Sequence, residues 1–205
     1  MRIARMQSYF LYFLILVFLG LAFWWARRET KTGNLADKEG EFDLLRGAEL
    51  LERRSGNDGD SFAIGHSGQI LRFRLYFVDT PETSDRFPQR VGYQARYFGI
   101  DRKDVIEVGR EAREFTLDLL REEPFEILTK WEQVMKSDRL HAMIRFPQQK
   151  GEPWLSEILV RRGLARIYTL PVDLPDGTTK REFKAHLKDL EAEARRKKRG
   201  AWRYR

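Results

Sequence analysis

The chain has 205 residues, 42% of them hydrophobic, which is long enough for one well-buried core and too short for two. Its net charge of +7 favours an acidic partner such as nucleic acid or an anionic membrane surface. The sequence has no cysteine and only three scattered histidines, which excludes a disulfide framework and a thiol nucleophile and leaves zinc sites and a Ser-His-Asp triad without support.

An uncharged apolar segment, residues 6–26, lies between two arginines near the start of the chain. As a helix it would be about 30 Å long, the thickness of one bilayer core, and tyrosines and tryptophans stand near its ends. A cleaved signal peptide is the alternative, but the segment lacks a small-x-small cleavage site. We interpret it as a single-pass transmembrane anchor. The flanking positive charges nearly balance and give almost no bias in orientation.

Residues 27–41 are charged, rich in small residues and without apolar periodicity. This composition predicts a flexible tether. A folded domain is then expected over residues 42–205.

Alternating apolar residues predict strands at 47–52, 60–64, 69–79, 125–131 and 139–146. Apolar residues at helical spacing predict helices at 109–123 and 153–163, and a long helix that starts at the capping box of Thr179 and Glu182. The order of elements predicts an α+β fold, mainly β: a five-stranded OB-fold barrel capped by about three helices and preceded by the transmembrane helix.

The third predicted strand ends in Asp79-Thr80-Pro81-Glu82, which has two interpretations. Thr80 could cap a helix that begins at Pro81, with Glu82 favoured by the helix dipole. Alternatively, the two carboxylates belong to a functional site.

Six separated motifs decide between these interpretations because they occur in one order: "NDGDSF", "RFRLYFVDTPE", "GREAREFT", "SDRLHAMI", "LVRRGLARIY" and "EAEARRKKRGAW". Any one of them is common. Together, over residues 48–202, they make the chain similar to the thermonuclease family, the staphylococcal or micrococcal nucleases.

The resemblance implies an OB-fold barrel with a calcium-dependent phosphodiesterase site. The implied calcium ligands are Asp60, Asp79 and the Thr80 carbonyl. Glu82 matches the glutamate that handles the attacking water. The remaining matches contact the substrate: Arg74 and Arg139 as the arginines that hold the scissile phosphate, and Tyr168 as the counterpart of the nucleotide-contacting tyrosines.

Three features depart from the family pattern or stay open. Residues 83–108 form a longer connection than expected, either a packed surface loop with a short helix around 93–98 or a loop whose aromatics stack on bases. Asp138 places a carboxylate beside Arg139, where it could weaken anion binding or point outward. The basic run 191–205 predicts either a solvated helix face that stops at Gly200 or a nucleic-acid patch.

The expected function is therefore a membrane-anchored, calcium-dependent endonuclease that cuts DNA and RNA with little sequence specificity, with a monomeric catalytic domain. Because a nuclease of broad specificity is dangerous beside the cell's own chromosome, we expect this domain to lie outside the cytoplasm. One alternative is an inactive nucleic-acid-binding OB domain tethered to the membrane. Another is a membrane-surface scaffold, which leaves the site residues unexplained.

Overall fold

A computed structural model describes residues 37–205. The predicted anchor at 6–26 and most of the predicted tether lie outside the described residues. Within 37–205, no helix combines the length and apolar character needed to cross a bilayer.

This part of the chain is a mixed α+β structure. Its strands are β1 (Asp37–Glu39), β2 (Phe42–Leu45), β3 (Glu49–Leu50), β4 (Ser61–His66), β5 (Gln69–Leu75), β6 (Val78–Asp79), β7 (Glu126–Thr129), β8 (Leu140–Arg145) and β9 (Arg166–Ile167). Its α-helices are α1 (Pro88–Phe98), α2 (Arg102–Glu122), α3 (Leu155–Arg161) and α4 (Lys180–Arg196), followed by a 3-10 helix, Gly200–Tyr204.

The strand order shows that the main sheet curls on itself. Seven strands pair in the order β1-β2-β7-β8-β5-β4-β3. In a flat sheet β2 and β3 would lie about 24 Å apart, at roughly 4.8 Å per strand interval. Yet only residues 46–48 join them, and so short a link spans at most about 14 Å. The sheet must therefore close, with β2 and β3 acting as one strand bent at Gly47, whose φ is +65°. Five strands around one core fit an OB-like barrel.

The first strand lies inside the range predicted as a tether. β1 pairs antiparallel with β2, and Arg145 donates two hydrogen bonds to the Glu39 carboxylate at 2.6 and 2.7 Å. β1 is held by its backbone ladder and by ion pairs and contains only charged residues. In the sequence, such a composition is the same as that of a linker. Residues 37–39, which were predicted as part of the tether, therefore belong to the sheet.

The third predicted strand, 69–79, is also wrong in one respect. β5 ends at Leu75, and Phe77 has a left-handed φ of +68°. The chain then leaves the barrel as β6, which pairs with β9 instead. The apolar residues continue across the break because Tyr76, Phe77 and Val78 are all buried, so periodicity gives no signal of the turn.

The connection over residues 83–108 is mostly helical. α1 has Pro88 in its first turn and ends at Gly99, which is left-handed. α2 then runs for 21 residues, starting seven residues before the predicted helix at 109–123. The described residues thus contain four α-helices, one more than the three named in the predicted fold, and α1 includes the short helix that one interpretation placed around 93–98.

The basic run near the chain end follows the solvated-helix interpretation. Arg195 pairs with Glu191 at 2.7 Å and Lys197 with Glu193 at 2.6 Å, each one helical turn apart. The chain then turns inward, and Trp202 is buried in the core with the Arg195 guanidinium 4.2 Å from its ring centroid. Arg195 and Lys197 therefore form ion pairs within the domain, and Arg195 also makes a cation–π contact there.

Glu157 is a buried carboxylate in the first turn of α3. It accepts a hydrogen bond from the Trp154 backbone N–H at 3.0 Å, and its other oxygen lies 3.1 Å from Nε2 of His186. Burial raises the pKa of Glu157 to about 7, although the Trp154 hydrogen bond lowers it. In the unfolded chain the pKa returns to its ordinary 4.5.

We expect Glu157 to make the protein less stable as the pH rises. The protonated carboxyl is favoured in the folded chain, so its contribution is complete below pH 4.5 and is lost as the pH rises through about 7. Glu157→Gln should remove on the order of 1–2 kcal/mol of the stability change between about pH 5 and about pH 8, measured by urea unfolding. Equal pH dependence in both proteins would contradict the prediction.

Candidate active site

A buried arginine bridges two buried aspartates at the open end of the β4–β5 hairpin. Arg74 donates from Nη1 to Oδ1 of Asp60 at 3.0 Å and from Nη2 to Oδ1 of Asp79 at 2.5 Å. Both aspartates are 1% exposed. Charged groups stay buried only when they are paired, so this triad holds two carboxylates together around one guanidinium.

The hairpin and a second strand pair create this arrangement. In the β4–β5 register Ser61 lies opposite Arg74, which places Asp60 next to the arginine. In the β6–β9 register Asp79 lies opposite Arg166, whose Nε donates to Oδ2 of Asp79 at 2.8 Å. The site is therefore built from two strand pairs that meet at Arg74.

Close packing under the site depends on a glycine in the turn before β4. A Cβ on Gly59 would lie 2.8 Å from the Thr80 Cγ2 and 3.0 Å from the Ala112 Cβ. The Gly59 carbonyl also accepts a hydrogen bond from the Thr116 hydroxyl at 2.9 Å. α2 thus supports the turn that carries Asp60.

The surrounding charges shift the pKa values of the acidic groups in opposite directions. Burial alone would raise the pKa of Asp79, but Arg74 and Arg166 outweigh it and hold the pKa below its ordinary value. Burial raises the pKa of Asp58 well above its ordinary value, and the nearby Asp60 raises it further. The same cluster therefore favours the protonated form of Asp58 and the ionised form of Asp79.

No helix begins at Pro81, so the capping interpretation of this junction is wrong. The Thr80 backbone N–H instead donates to Oδ2 of Asp60 at 2.8 Å. Gln94 of α1, fully buried, donates from Nε2 to Asp79 Oδ2 and to the Thr80 carbonyl, both at 3.0 Å. Its Oε1 accepts from the Glu82 backbone N–H at 2.9 Å. One amide side chain therefore holds the segment 79–82 extended.

Glu82 lies at the edge of the same cluster. Nη2 of Arg90 lies 2.8 Å from Oε1 of Glu82 and 3.2 Å from Oδ1 of Asp79. Burial raises the pKa of Glu82, and Arg90 acts against that rise. Behind the backbone of residues 81–82 stands Gly109 of α2, where a Cβ would lie 2.3 Å from the Glu82 carbonyl oxygen. Only glycine lets α2 approach this closely.

Arg139 reaches the cluster through a serine. Its Nη1 lies 3.2 Å from the Ser61 hydroxyl, which donates to Oδ1 of Asp60 at 2.8 Å. The neighbouring Asp138 points outward, 3.3 Å from Nη1 of Arg72. Of the two interpretations of Asp138, the outward one is correct.

Tyr168 lies beside the cluster and is 66% exposed. The Cζ of Arg166 is 4.0 Å from its ring centroid, and the same arginine bonds Asp79. The structure thus brings the seven predicted site residues into one region: Asp60, Arg74, Asp79, Thr80, Glu82, Arg139 and Tyr168.

Three further residues contact Asp79 and were missed in the sequence: Arg90, Gln94 and Arg166. Arg90 and Gln94 are four residues apart on α1, but the short helix predicted around 93–98 did not include Arg90, so this spacing could not be used. Arg166 belongs to the motif "LVRRGLARIY", but it is 87 positions from Asp79, and the sequence alone does not indicate a contact over that separation.

A comparison with protein families adds an independent observation. A family model described as staphylococcal nuclease homologue matches residues 72–204, well over half of the chain. The chain belongs to the staphylococcal nuclease family. The match includes every predicted site residue except Asp60, which precedes it, and the expected family is confirmed. Members of this family are generally hydrolytic nucleases, so a nuclease-type function is supported.

The donor set at the site suits a hard cation. Asp60, Asp79 and the Thr80 carbonyl offer oxygen ligands, as Ca²⁺ prefers. Arg74 and Gln94 contact these oxygens in the structure, and within residues 37–205 no group of three His, Cys, Asp or Glu side chains is arranged to hold a metal. The residues therefore fit calcium in donor chemistry, and binding it requires some of these contacts to be exchanged.

Proposed function

We propose that this protein is a calcium-dependent endonuclease that hydrolyses phosphodiester bonds of DNA and RNA with little sequence specificity. Membrane anchoring, with the catalytic domain outside the cytoplasm, is part of the proposal and rests on the apolar segment at 6–26. The observation that carries the enzymatic proposal is the convergence of Arg74, Asp60 and Asp79, with Glu82 and Arg139 at its edge.

The two predicted arginines are suited to hold a phosphate. The scissile phosphodiester is anionic, and attack by water adds charge to its equatorial oxygens. A guanidinium presents two parallel N–H donors and stays protonated at any working pH, so Arg74 and Arg139 can stabilise that charge bidentately. Arg74 now donates to two carboxylates and would turn part of its donor set to the substrate.

Glu82 is suited to accept the proton of the attacking water. Its carboxylate lies within the cluster but pairs with Arg90, which is 43% exposed and can turn away towards solvent. The hydrogen bond from Glu82 N–H to Gln94 and the packing of Gly109 fix the backbone of this residue. Bound calcium, held by Asp60, Asp79 and the Thr80 carbonyl, would supply positive charge next to the phosphate.

A binding module without catalysis is the second candidate, and one observation favours it. Both oxygens of Asp79 are already engaged, by three arginines and by Gln94. If calcium cannot displace these contacts, the domain binds nucleic acid without cutting it.

Digestion of plasmid DNA and of RNA by the full-length chain separates the two candidates. We expect cleavage of both substrates with calcium and complete loss of cleavage with excess chelator, restored when calcium is added back. Undiminished cleavage in chelator would remove the calcium assignment. Nucleic-acid binding without cleavage in any calcium concentration would favour the second candidate. Asp60→Asn should behave like chelation, because it removes a charged ligand and keeps the shape of the side chain.

A further inference from the structure

Two arginines of α2 contact the two segments that carry the acidic residues of the candidate active site. Nε of Arg113 donates to the backbone carbonyl of Asn57 at 2.9 Å, in the turn before β4. Nε of Arg110 donates to the backbone carbonyl of Thr83, the residue after Glu82, at 3.3 Å. Both bonds use the inner nitrogen of the side chain. The terminal Nη nitrogens therefore stay available to another acceptor.

We call Arg110 and Arg113 the arginine pair, and neither member has a carboxylate partner. Within residues 37–205, the two guanidinium groups form no ion pair and no hydrogen bond besides those to the two carbonyls. The two residues are three positions apart on the helix and are neighbours on its surface, and both are exposed. α2 thus presents two adjacent guanidinium groups, each held at one nitrogen, and such groups bind phosphate oxygens well.

The groove beside the arginine pair has a volume of about 690 Å³ and continues along α2 to Arg121. Arg121 is bound to the carboxylates of Glu52 and Asp118, at 2.6 and 2.8 Å, so its own charge is offset. The other carboxylate that lines the groove is that of Glu114. Two of the three acidic side chains thus lie at Arg121, and the arginine pair outnumbers the third.

The arginine pair lies close enough to the candidate active site to contact the same strand. Because Thr83 directly follows Glu82, standard bond lengths place Nε of Arg110 within about 10 Å of the Glu82 Cα. Successive phosphates of one strand are about 3.4 Å apart along the helix axis. A phosphate about two or three positions from the scissile one can therefore reach the pair.

We propose that the arginine pair is a phosphate subsite, which binds the backbone of the substrate strand a few nucleotides from the scissile bond. Contacts to phosphate oxygens carry no sequence information, in keeping with a nuclease of little sequence specificity. Both arginines are also bonded to the segments of the candidate site, so the subsite and the site form one continuous surface. The inference rests on the proposed function for the position of the strand.

A larger groove on another face of α2 suits a strand less well. It has a volume of about 1070 Å³ and contains several arginines. Two of them are paired with acidic side chains, Arg161 with Glu193 and Arg203 with Glu111, both at 2.7 Å. An arginine whose charge is offset by a nearby carboxylate attracts a phosphate only weakly.

The test is the salt dependence of binding. The full-length chain is purified in mild detergent and titrated with a labelled oligothymidylate in excess chelator, by fluorescence anisotropy at several salt concentrations, with intact probe verified on a gel. Each phosphate contact with a single strand contributes about 0.7 to the slope of log K against log salt. Arg110→Gln combined with Arg113→Gln should reduce the magnitude of this slope by about 1.4 and raise Kd more than about tenfold at about 0.1 M salt.

Two controls separate this role from a structural one. Arg110→Lys combined with Arg113→Lys keeps both charges and changes the bonds to the carbonyls, so it should keep the slope of the unmodified chain. Arg162→Gln should also keep that slope. Arg162 is likewise exposed and forms no ion pair with any residue from 37 to 205, but it lines the larger groove.

Three results would overturn the proposal. They are an unchanged slope in the double glutamine variant, the same reduction in the double lysine variant, and the same reduction in Arg162→Gln. Binding in chelator does not depend on catalysis. Cleavage of the same oligonucleotide by the unmodified chain with calcium therefore tests the proposed function separately.

Discussion

Replacing Arg74 by lysine should lower the rate of phosphodiester hydrolysis by more than about a hundredfold while the protein remains folded. The guanidinium spans two carboxylates, with its Nη1 on Asp60 and its Nη2 on Asp79. An ammonium is a single point charge and cannot hold both aspartates and a phosphate in the same geometry. We choose lysine over a neutral residue because a neutral residue would leave two buried carboxylates unpaired, at a cost of about 3–5 kcal/mol in folding stability. A loss of activity could then result from unfolding and not from a change in catalysis.

Arg72→Lys is the matched control for this experiment. Arg72 stands two residues earlier on the same strand, pairs with the exposed Asp138, and contacts none of the predicted site residues in the structure. Its variant should keep the rate within about twofold, as expected for an exposed ion pair. Rates are measured at saturating substrate and calcium, and folding is monitored by circular dichroism. A folded Arg74→Lys protein with near-normal turnover would remove Arg74 from the mechanism.

Replacing Gly109 by alanine should both destabilise the protein and reduce its activity. The added Cβ would lie 2.3 Å from the Glu82 carbonyl oxygen and 2.6 Å from that of Pro81, and both are backbone atoms that cannot rotate away. Either α2 or the segment 81–82 must shift. We expect a loss of roughly 2–3 kcal/mol in urea unfolding, together with a rate loss of more than about tenfold because Glu82 moves.

Gly92→Ala, on the neighbouring helix α1, is the control for Gly109→Ala. Its added Cβ would meet nothing closer than Nη1 of Arg102 at 3.7 Å. Because alanine is the better helix former, this variant should gain about 0.5–1 kcal/mol and keep its rate. If Gly109→Ala is as stable and as active as Gly92→Ala, close packing of α2 on the segment 81–82 is not needed for the site.

The barrel strands and the central site residues could be predicted because their information is local. Asp60 directly precedes Ser61, which lies opposite Arg74 in one hairpin, and Asp79 ends the apolar run that follows. The alternation of residues places such groups at one end of the sheet before any tertiary contact is known. The family pattern then supplied their expected roles.

The break at Phe77 and the full extent of the helix that carries Gln94 could not be predicted in the same way. A strand that is buried on both faces is apolar at every position and shows no alternation of apolar and polar residues. The left-handed turn at Phe77 therefore does not interrupt any pattern in the sequence. α1 is short and its exposed face carries arginine and tyrosine, a composition equally common in loops. Gln94 is chemically unremarkable until tertiary packing buries it against Asp79.

The long span of the β6–β9 pairing affects the order of events during synthesis. Asp79 can pair with Arg166 only after a further 87 residues have been synthesised. The core is complete only once Trp202, three residues from the end of the given sequence, has been added. An incomplete translation product that stops before Arg166 therefore carries Asp60, Arg74 and Asp79 without the strand and the arginine that complete their surroundings. Assembly of the site is thus coupled to synthesis of the chain through Arg166, and completion of the core to synthesis through Trp202.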